Sequence, residues 1–140
     1  MTSTATVRPT GQPGYSETLP CTAESARRAR RLVRTALIGW GLEGIAGDGE
    51  LIVTELVANA VQHTWGHHVR VIVTHLGPGR VRIGVADRCR TRPVRRAPGD
   101  DDACGRGLAL LEALAVCWGT DPKRWGKVVW GELAAGAAGG

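Results

Sequence analysis

One segment, residues 50–63, constrains the fold more than any other part of the chain. Its sequence, ELIVTELVANAVQH, has the spacing of an α-helix of about four turns, starting near Asp48. At 100° per residue, Glu55, Asn59 and Gln62 form a narrow polar stripe with His63 at its edge, and the other sides are apolar: Val53, Leu56, Val57, Ala60 and Val61. A helix that is apolar on nearly all sides is expected to be buried. The spacing therefore predicts a buried helix with one polar stripe.

The polar stripe needs partners, because a buried carboxylate or carboxamide without them costs free energy. No Lys or Arg occurs between Arg34 and Arg70 to neutralise Glu55 locally. Two interpretations follow: the stripe lines a polar cavity, or Glu55 pairs with a distant arginine and Asn59 bonds to backbone. A carboxamide beside a carboxylate suits Mg²⁺ and its waters, so the first interpretation predicts a magnesium site.

Composition restricts the class of protein. A chain of 140 residues, 43% hydrophobic and 22% charged, is typical of one soluble globular domain. Its net charge of +5 is spread without basic runs interleaved by aromatics, so direct nucleic-acid binding is not expected. The cysteines form no CxxC pair, which argues against a zinc ribbon: Cys21, Cys89, Cys104 and Cys117. No apolar run is long enough to span a membrane or act as a signal core, so we expect a cytoplasmic protein with free thiols.

The rest of the chain predicts further helices and strands within one domain. Residues 15–19 predict a short edge strand that ends at Pro20, and Thr22 is the expected N-cap of a helix over residues 23–38. Two hairpins are predicted, one of residues 69–75 and 80–86, the other of residues 117–120 and 127–133 with its turn at Asp121 and Pro122. Residues 1–13 are expected to be a disordered tail and residues 134–140 a flexible one, which leaves residues 14–133 as the domain.

The predicted first helix carries a row of arginines at i, i+3, i+4 and i+7: Arg27, Arg30, Arg31 and Arg34. Such a row is either a solvated face or a contact surface for an acidic protein partner. Both interpretations are kept.

Asp87 is a candidate binding residue at the end of a predicted strand. Val81, Ile83 and Val85 share one face of that strand, and the same alternation points Asp87 inward. A carboxylate on the buried side is either salt-bridged or accepts a hydrogen bond from a ligand. Arg88 is expected to face the other way.

A long stretch without periodicity follows, between Arg88 and Cys104, and resembles a lid. Gly105, Arg106 and Gly107 then open an apolar helix predicted over residues 108–116. Glycines at a helix start let backbone N–H groups approach a phosphate. This segment is therefore a candidate anion site.

Together these segments resemble the histidine-kinase-like ATPase superfamily, shared by gyrase, heat-shock chaperones and sensor kinases, and specifically the small anti-sigma factor kinases. ELVANAVQH is similar to the N-box of that family, IGVADRCRTRP to its first glycine box and GRGLALLEALAVCWG to its second. The resemblance covers residues 15–133. It implies an α/β two-layer sandwich of a mixed, largely antiparallel sheet covered on one face by helices, which is the Bergerat-type ATP-binding fold.

The resemblance also implies roles for the residues of the first two motifs. Asn59 would hold Mg²⁺ on the phosphates of ATP, and Glu55 would act as general base or orient the attacking group. Asp87 would accept a hydrogen bond from the adenine amino group. One departure is Cys89, because the family usually has glycine there and a side chain would narrow the adenine pocket.

For the second glycine box, the resemblance implies that Gly105 and Gly107 let the lid and helix start wrap the phosphates, with Arg106 beside them. Lys127 would add positive charge near the phosphates.

The first functional hypothesis is an anti-sigma factor serine/threonine kinase that phosphorylates an antagonist protein and sequesters a sigma factor. The implied partners are that sigma factor and that antagonist, and proteins of this type often form homodimers. The alternative is a non-catalytic module of the same fold that binds ATP, or no nucleotide, and regulates by sequestration alone.

Overall fold

The computed structural model describes residues 4–7, 13–22, 24–63, 68–88 and 109–135. The helices are α1 (Ser25–Gly39), α2 (Ala46–His63) and α3, whose described part covers residues 109–114, and a 3₁₀ turn over Glu43–Ile45 precedes α2. The strands are β1 (Thr4–Val7), β2 (Pro13–Pro20), β3 (His68–Gly77), β4 (Arg80–Asp87), β5 (Cys117–Lys123) and β6 (Gly126–Ala134).

The strands form one sheet of six in the order β1-β2-β3-β4-β6-β5, with the helices packed on one face. This confirms the α/β sandwich predicted from the sequence. The expected sheet was mixed but largely antiparallel, and the pairings between the described strands are all antiparallel. The β3–β4 hairpin is confirmed, and its turn uses Gly79 at φ 67°, a conformation that favours glycine.

The core lies between the helices and the helix-covered face of the sheet. Val71, Val85 and Val129 occupy one row of that face, and all are buried. Gly49 lets α2 approach closely, because a Cβ there would lie 2.9 Å from Val33 Cγ1 and 3.3 Å from Ile83 Cδ1. The first turns of α2 are therefore fixed against both α1 and β4.

The N-terminal elements differ from the prediction in two ways. Thr4–Val7 form the edge strand β1, inside the segment expected to be a tail, because β2 presents an edge with free hydrogen-bonding groups and β1 pairs with it. Thr22 is not the N-cap of α1; Glu24 is, without a side-chain capping bond. Ser25 ties the helix start to the end of β2 instead, by donating to the Pro20 carbonyl.

The turn of the final hairpin was also predicted at the wrong place. Asp121 and Pro122 lie within β5, and Arg124 and Trp125 form the turn. Pro122 is tolerated because β5 is at the edge of the described sheet, where a strand need not donate on its outer side.

The arginine row on α1 is divided between two environments. Arg30 donates to Thr54 Oγ1 of α2 at 3.4 Å, and Arg34 pairs with Glu50 of α2 at 2.9 Å. Arg27 and Arg31 are exposed. Arg34 is exposed as well but is paired, so the row offers fewer unpaired arginines than the sequence pattern indicated.

The face of the sheet opposite the helices, called the open face below, carries a buried carboxylate. Glu132 is 6% exposed and binds two arginines of β4: Arg80 Nη2 lies 3.1 Å from Oε1, and Arg82 Nε lies 2.8 Å from Oε2. Burial alone would raise the pKa of Glu132, but hydrogen bonds from Arg82 and Cys117 and the charge of Arg82 outweigh it, so the pKa is lowered. Arg82 also lies over the Trp130 ring, 4.1 Å from its centroid.

The pH dependence of stability should report this group. Because its folded-state pKa lies below the ordinary value of 4.5, Glu132 stabilises the fold above that pH, and the stabilisation is lost as pH falls through the folded pKa. Glu132→Gln should lower the free energy of unfolding at pH 7 by roughly 1–3 kcal/mol and flatten the acid side of the stability curve. Chemical denaturation between pH 3 and pH 7 measures both effects, with the exposed Glu112→Gln as control. If the free energy of unfolding of Glu132→Gln falls as steeply toward low pH as that of the unsubstituted protein, Glu132 is not the group responsible.

Candidate functional site

The polar stripe of α2 is half-exposed. Glu55 and Asn59 are both of intermediate exposure, Gln62 is exposed, and Leu51 on the same side is 47% exposed. The prediction that α2 is buried almost all round is therefore wrong, because α1 and the sheet cover only part of its circumference. Within the described residues, no hydrogen bond or ion pair involves the side chain of Glu55 or Asn59. Both groups are thus available to a ligand.

Asp87 points into the helix-covered side, as its alternation with Val85 predicts. The residue is 1% exposed, and Lys127 Nζ lies 3.1 Å from Oδ2 and 3.4 Å from Oδ1. The two residues face each other in register, Asp87 at the end of β4 and Lys127 near the start of β6. Of the two interpretations of an inward Asp, the salt-bridged one is observed.

Lys127 was expected to add positive charge near the phosphates, but it is paired with Asp87. Its ammonium group lies against the carboxylate of Asp87, so its charge is already partly neutralised. Its side chain is 27% exposed, which leaves room for the group to turn toward a ligand. The expected contact with phosphates stays a prediction.

Backbone packing fixes the end of β4 around Asp87. A side chain at Gly126 would clash with the Asp87 carbonyl oxygen and lie 2.7 Å from Arg88 Cα, so the β5–β6 turn requires glycine at this contact. Cys21 is close enough to feel the charge of Asp87. Burial raises the pKa of the Cys21 thiol, and the negative charge of Asp87 raises it further. Cys21 is therefore a neutral neighbour of the site.

The structure brings some of the predicted residues together and leaves others apart. Glu55 and Asn59 share one side of α2, and Asp87 and Lys127 form a pair, but no hydrogen bond joins the two groups. Gly105, Arg106, Gly107 and Cys89 lie outside the described residues. The sequence analysis did not predict the ion pair of Asp87. Lys127 lies two residues before Val129 on β6, as Asp87 lies two residues after Val85 on β4, so both side chains point to the helix-covered face.

A family comparison decides the identity of the domain. The family model described as the histidine kinase-like ATPase domain matches residues 19–129, which is most of the chain. The chain belongs to this family. The match spans α2, the end of β4 and the start of β6, and it confirms the resemblance at the level of the superfamily. Membership identifies an ATP-binding domain, while the anti-sigma type stays a prediction.

A relative of this ATPase domain occurs in Streptomyces coelicolor (strain ATCC BAA-471 / A3(2) / M145). It is an uncharacterized protein, 38% identical over 74 residues, which are 51% of this chain and 70% of the relative. The similarity supports the family and adds no activity.

The residues of α2 fit the magnesium ion that such a domain uses with ATP. Asn59 and Glu55 offer oxygen atoms one helical turn apart, both half-exposed and free of protein partners within the described residues. Mg²⁺ keeps several waters and is commonly held by one or two protein oxygens together with substrate phosphates. In the described part of the ATPase domain, no cluster of three or more His, Cys, Asp or Glu offers a metal cage. None of the described helices is long and apolar enough to cross a bilayer.

Proposed function

We propose that this ATPase domain is an anti-sigma factor serine/threonine kinase that transfers the γ-phosphoryl group of ATP to a serine of an antagonist protein and sequesters a sigma factor. The observation that carries the proposal is the Glu55 and Asn59 pair on α2, one helical turn apart and without protein partners among the described residues. A Mg-nucleotide site in this family needs oxygen ligands on that helix.

The chemistry assigns one step to each group. The serine hydroxyl oxygen forms a bond to the γ-phosphorus while the bond from that phosphorus to the bridging oxygen of ADP breaks. Glu55 accepts the hydroxyl proton, and Asn59 would help hold Mg²⁺, which when bound would offset the charge of the phosphates. Asp87 accepts the adenine amino hydrogen bond, and Lys127 keeps the carboxylate in place.

The surface for the sigma factor includes the exposed basic side of α1. Arg27 and Arg31 point to solvent, and no ion pair involves either within the described residues. Arginine forks suit carboxylates, so the matching surface of the partner is expected to be acidic.

A second candidate function is a regulatory module that binds without phosphoryl transfer. Two features favour it: Cys89 replaces the usual glycine, and Lys127 already occupies the carboxylate of Asp87. An adenine amino group would have to share Asp87 with the ammonium. Both candidates use the same fold, but the module lacks the chemical step and binds either ATP or no nucleotide.

Calorimetric titration of ATP with and without Mg²⁺ tests the nucleotide site that the kinase requires and that the regulatory module has only in its ATP-binding form. Asn59→Ala should remove most of the Mg²⁺-dependent part of the affinity, because the carboxamide is the expected protein ligand of the metal. The comparison is Gln62→Ala, which removes the other carboxamide of the polar stripe, at an exposed position nearly one turn further along α2. If ATP at millimolar concentration gives no heat, the remaining candidate is a module that binds no nucleotide. If both variants lose the Mg²⁺-dependent affinity equally, the effect is not specific to Asn59 as the metal ligand.

A further inference from the structure

A cavity of about 690 Å³ lies across one end of the open face of the sheet. Its described lining spans β2, β3, β4 and the β5–β6 turn and includes Thr18, His68, Arg70, Ala86, Arg88 and Trp125. The volume falls in the range of small-molecule sites, about 300–1,000 Å³. The cavity is therefore large enough for an organic ligand.

Apart from Val69, the strand residues of the described lining belong to the open face, away from the side on which Asp87 points. Arg70 and Ala86 face each other in the β3–β4 register, and the neighbouring pair is Val69 with Asp87. Successive residues of a strand point to opposite faces, so the Arg70 side chain projects from the open face and that of Asp87 from the helix-covered face. A ligand in this cavity would not occupy the nucleotide site assigned to α2 and Asp87.

The charged residues of the described lining are all basic. Arg80 and Arg82, also on the open face, both bind Glu132, whereas Arg70 donates to the Ser16 hydroxyl at 2.9 Å. In the described part of the chain, no carboxylate pairs with Arg70 or Arg88, and the described lining contains no acid. Guanidinium groups gathered around a concave surface without counter-charges attract anions.

The lining also indicates which anion fits. Arginine presents parallel N–H donors that match the oxygens of phosphate, and the Thr18 hydroxyl adds a neutral donor. Ala86 and Trp125 supply an apolar part, and Trp125 is 41% exposed, so its ring has surface left to cover. We propose that this cavity binds a small phosphate ester, with the phosphate held by Arg70 and Arg88 and the organic group against Ala86 and Trp125.

Phenyl phosphate is a suitable probe, because it combines a phosphate with an aromatic body. In an amide NMR titration of the full chain, it should produce saturable shifts at Thr18, Arg70 and Ala86, and bind more tightly than inorganic phosphate. Arg70→Gln and Arg88→Gln should each weaken binding by about tenfold or more, as expected for a lost charge-assisted hydrogen bond. Arg27→Gln on the exposed side of α1 makes the same charge change away from the cavity and should have little effect.

Three results would overturn the proposal. They are the absence of saturable shifts at those amides, equal weakening by Arg27→Gln, and phenyl phosphate shifts that fall at Glu55 and Asn59 instead, which would place the anion in the nucleotide site. Thermal unfolding of each variant shows whether a lost response reflects lost folding, and the use of two arginines, one on β3 and one just after β4, keeps the test decisive. The cavity and the kinase activity do not depend on each other, so failure of one leaves the other standing.

Discussion

Replacing Asp87 with asparagine should weaken ATP binding by roughly 10- to 100-fold, the effect of removing a charged hydrogen-bond acceptor from a buried site. The side chain of Asp87 is 2% exposed, so water cannot substitute for the lost acceptor. An asparagine amide can also turn its NH₂ group toward the adenine amino group, which sets two donors against each other. Calorimetric titration of ATP measures the change in affinity.

The same substitution leaves Lys127 without its counter-charge, so stability must be measured alongside affinity. Because Lys127 is 27% exposed, its ammonium can turn to solvent, and we expect a folded variant with a lower Tm. The control is Asp121→Asn, which makes the same chemical change on β5, where Asp121 lines a groove of the open face. ATP affinity unchanged in a folded Asp87→Asn variant would show that this carboxylate does not contact adenine.

Glu55→Gln should lower the rate of phosphoryl transfer by roughly 100- to 10,000-fold, the usual contribution of a general base. Glutamine keeps the size of the side chain but cannot accept the serine proton. Because Glu55 makes no hydrogen bond or ion pair within the described residues, the substitution should cost little stability. The measurement is transfer of label from γ-labelled ATP into protein serine, with ATP affinity determined on the same samples.

This experiment separates the two forms of the proposal. In a kinase, transfer falls while ATP affinity stays close to that of the unsubstituted protein; in a binding module, neither protein transfers label. Glu43→Gln is the matched control, since Glu43 is an exposed glutamate on the 3₁₀ turn before α2. Full transfer by the Glu55→Gln protein would remove the general-base role.

Local periodicity was sufficient for the parts of the fold and site that depend on neighbours in sequence. The alternation along β4 predicted that Asp87 points inward, and the helical period predicted one polar side of α2. The glycines and proline between β3 and β4 predicted the hairpin turn. In each case a few adjacent residues determine the geometry, whatever the rest of the chain does.

The incorrect or missing predictions concern contacts between distant segments. The Asp87–Lys127 pair joins residues 40 positions apart, and the Arg34–Glu50 pair depends on how α1 packs against α2. The exposure of α2 depends on how much of its surface those neighbours cover, which its own sequence does not contain. Strand β1 forms because β2 has a free edge, again a property of the assembled sheet.

The Asp87–Lys127 pair has a further consequence for how the chain selects its sheet during folding. If β6 slipped by one residue against β4, Gly126 or Val128 would replace Lys127 opposite Asp87, and the buried carboxylate would lose this ammonium as a partner. The same slip would turn Val129 out of the core. A shifted register is thus destabilised in two ways: the ion pair is lost, and an apolar side chain is exposed. Asp87 and Lys127, which are assigned to nucleotide binding, therefore also favour the correct register of β6 against β4.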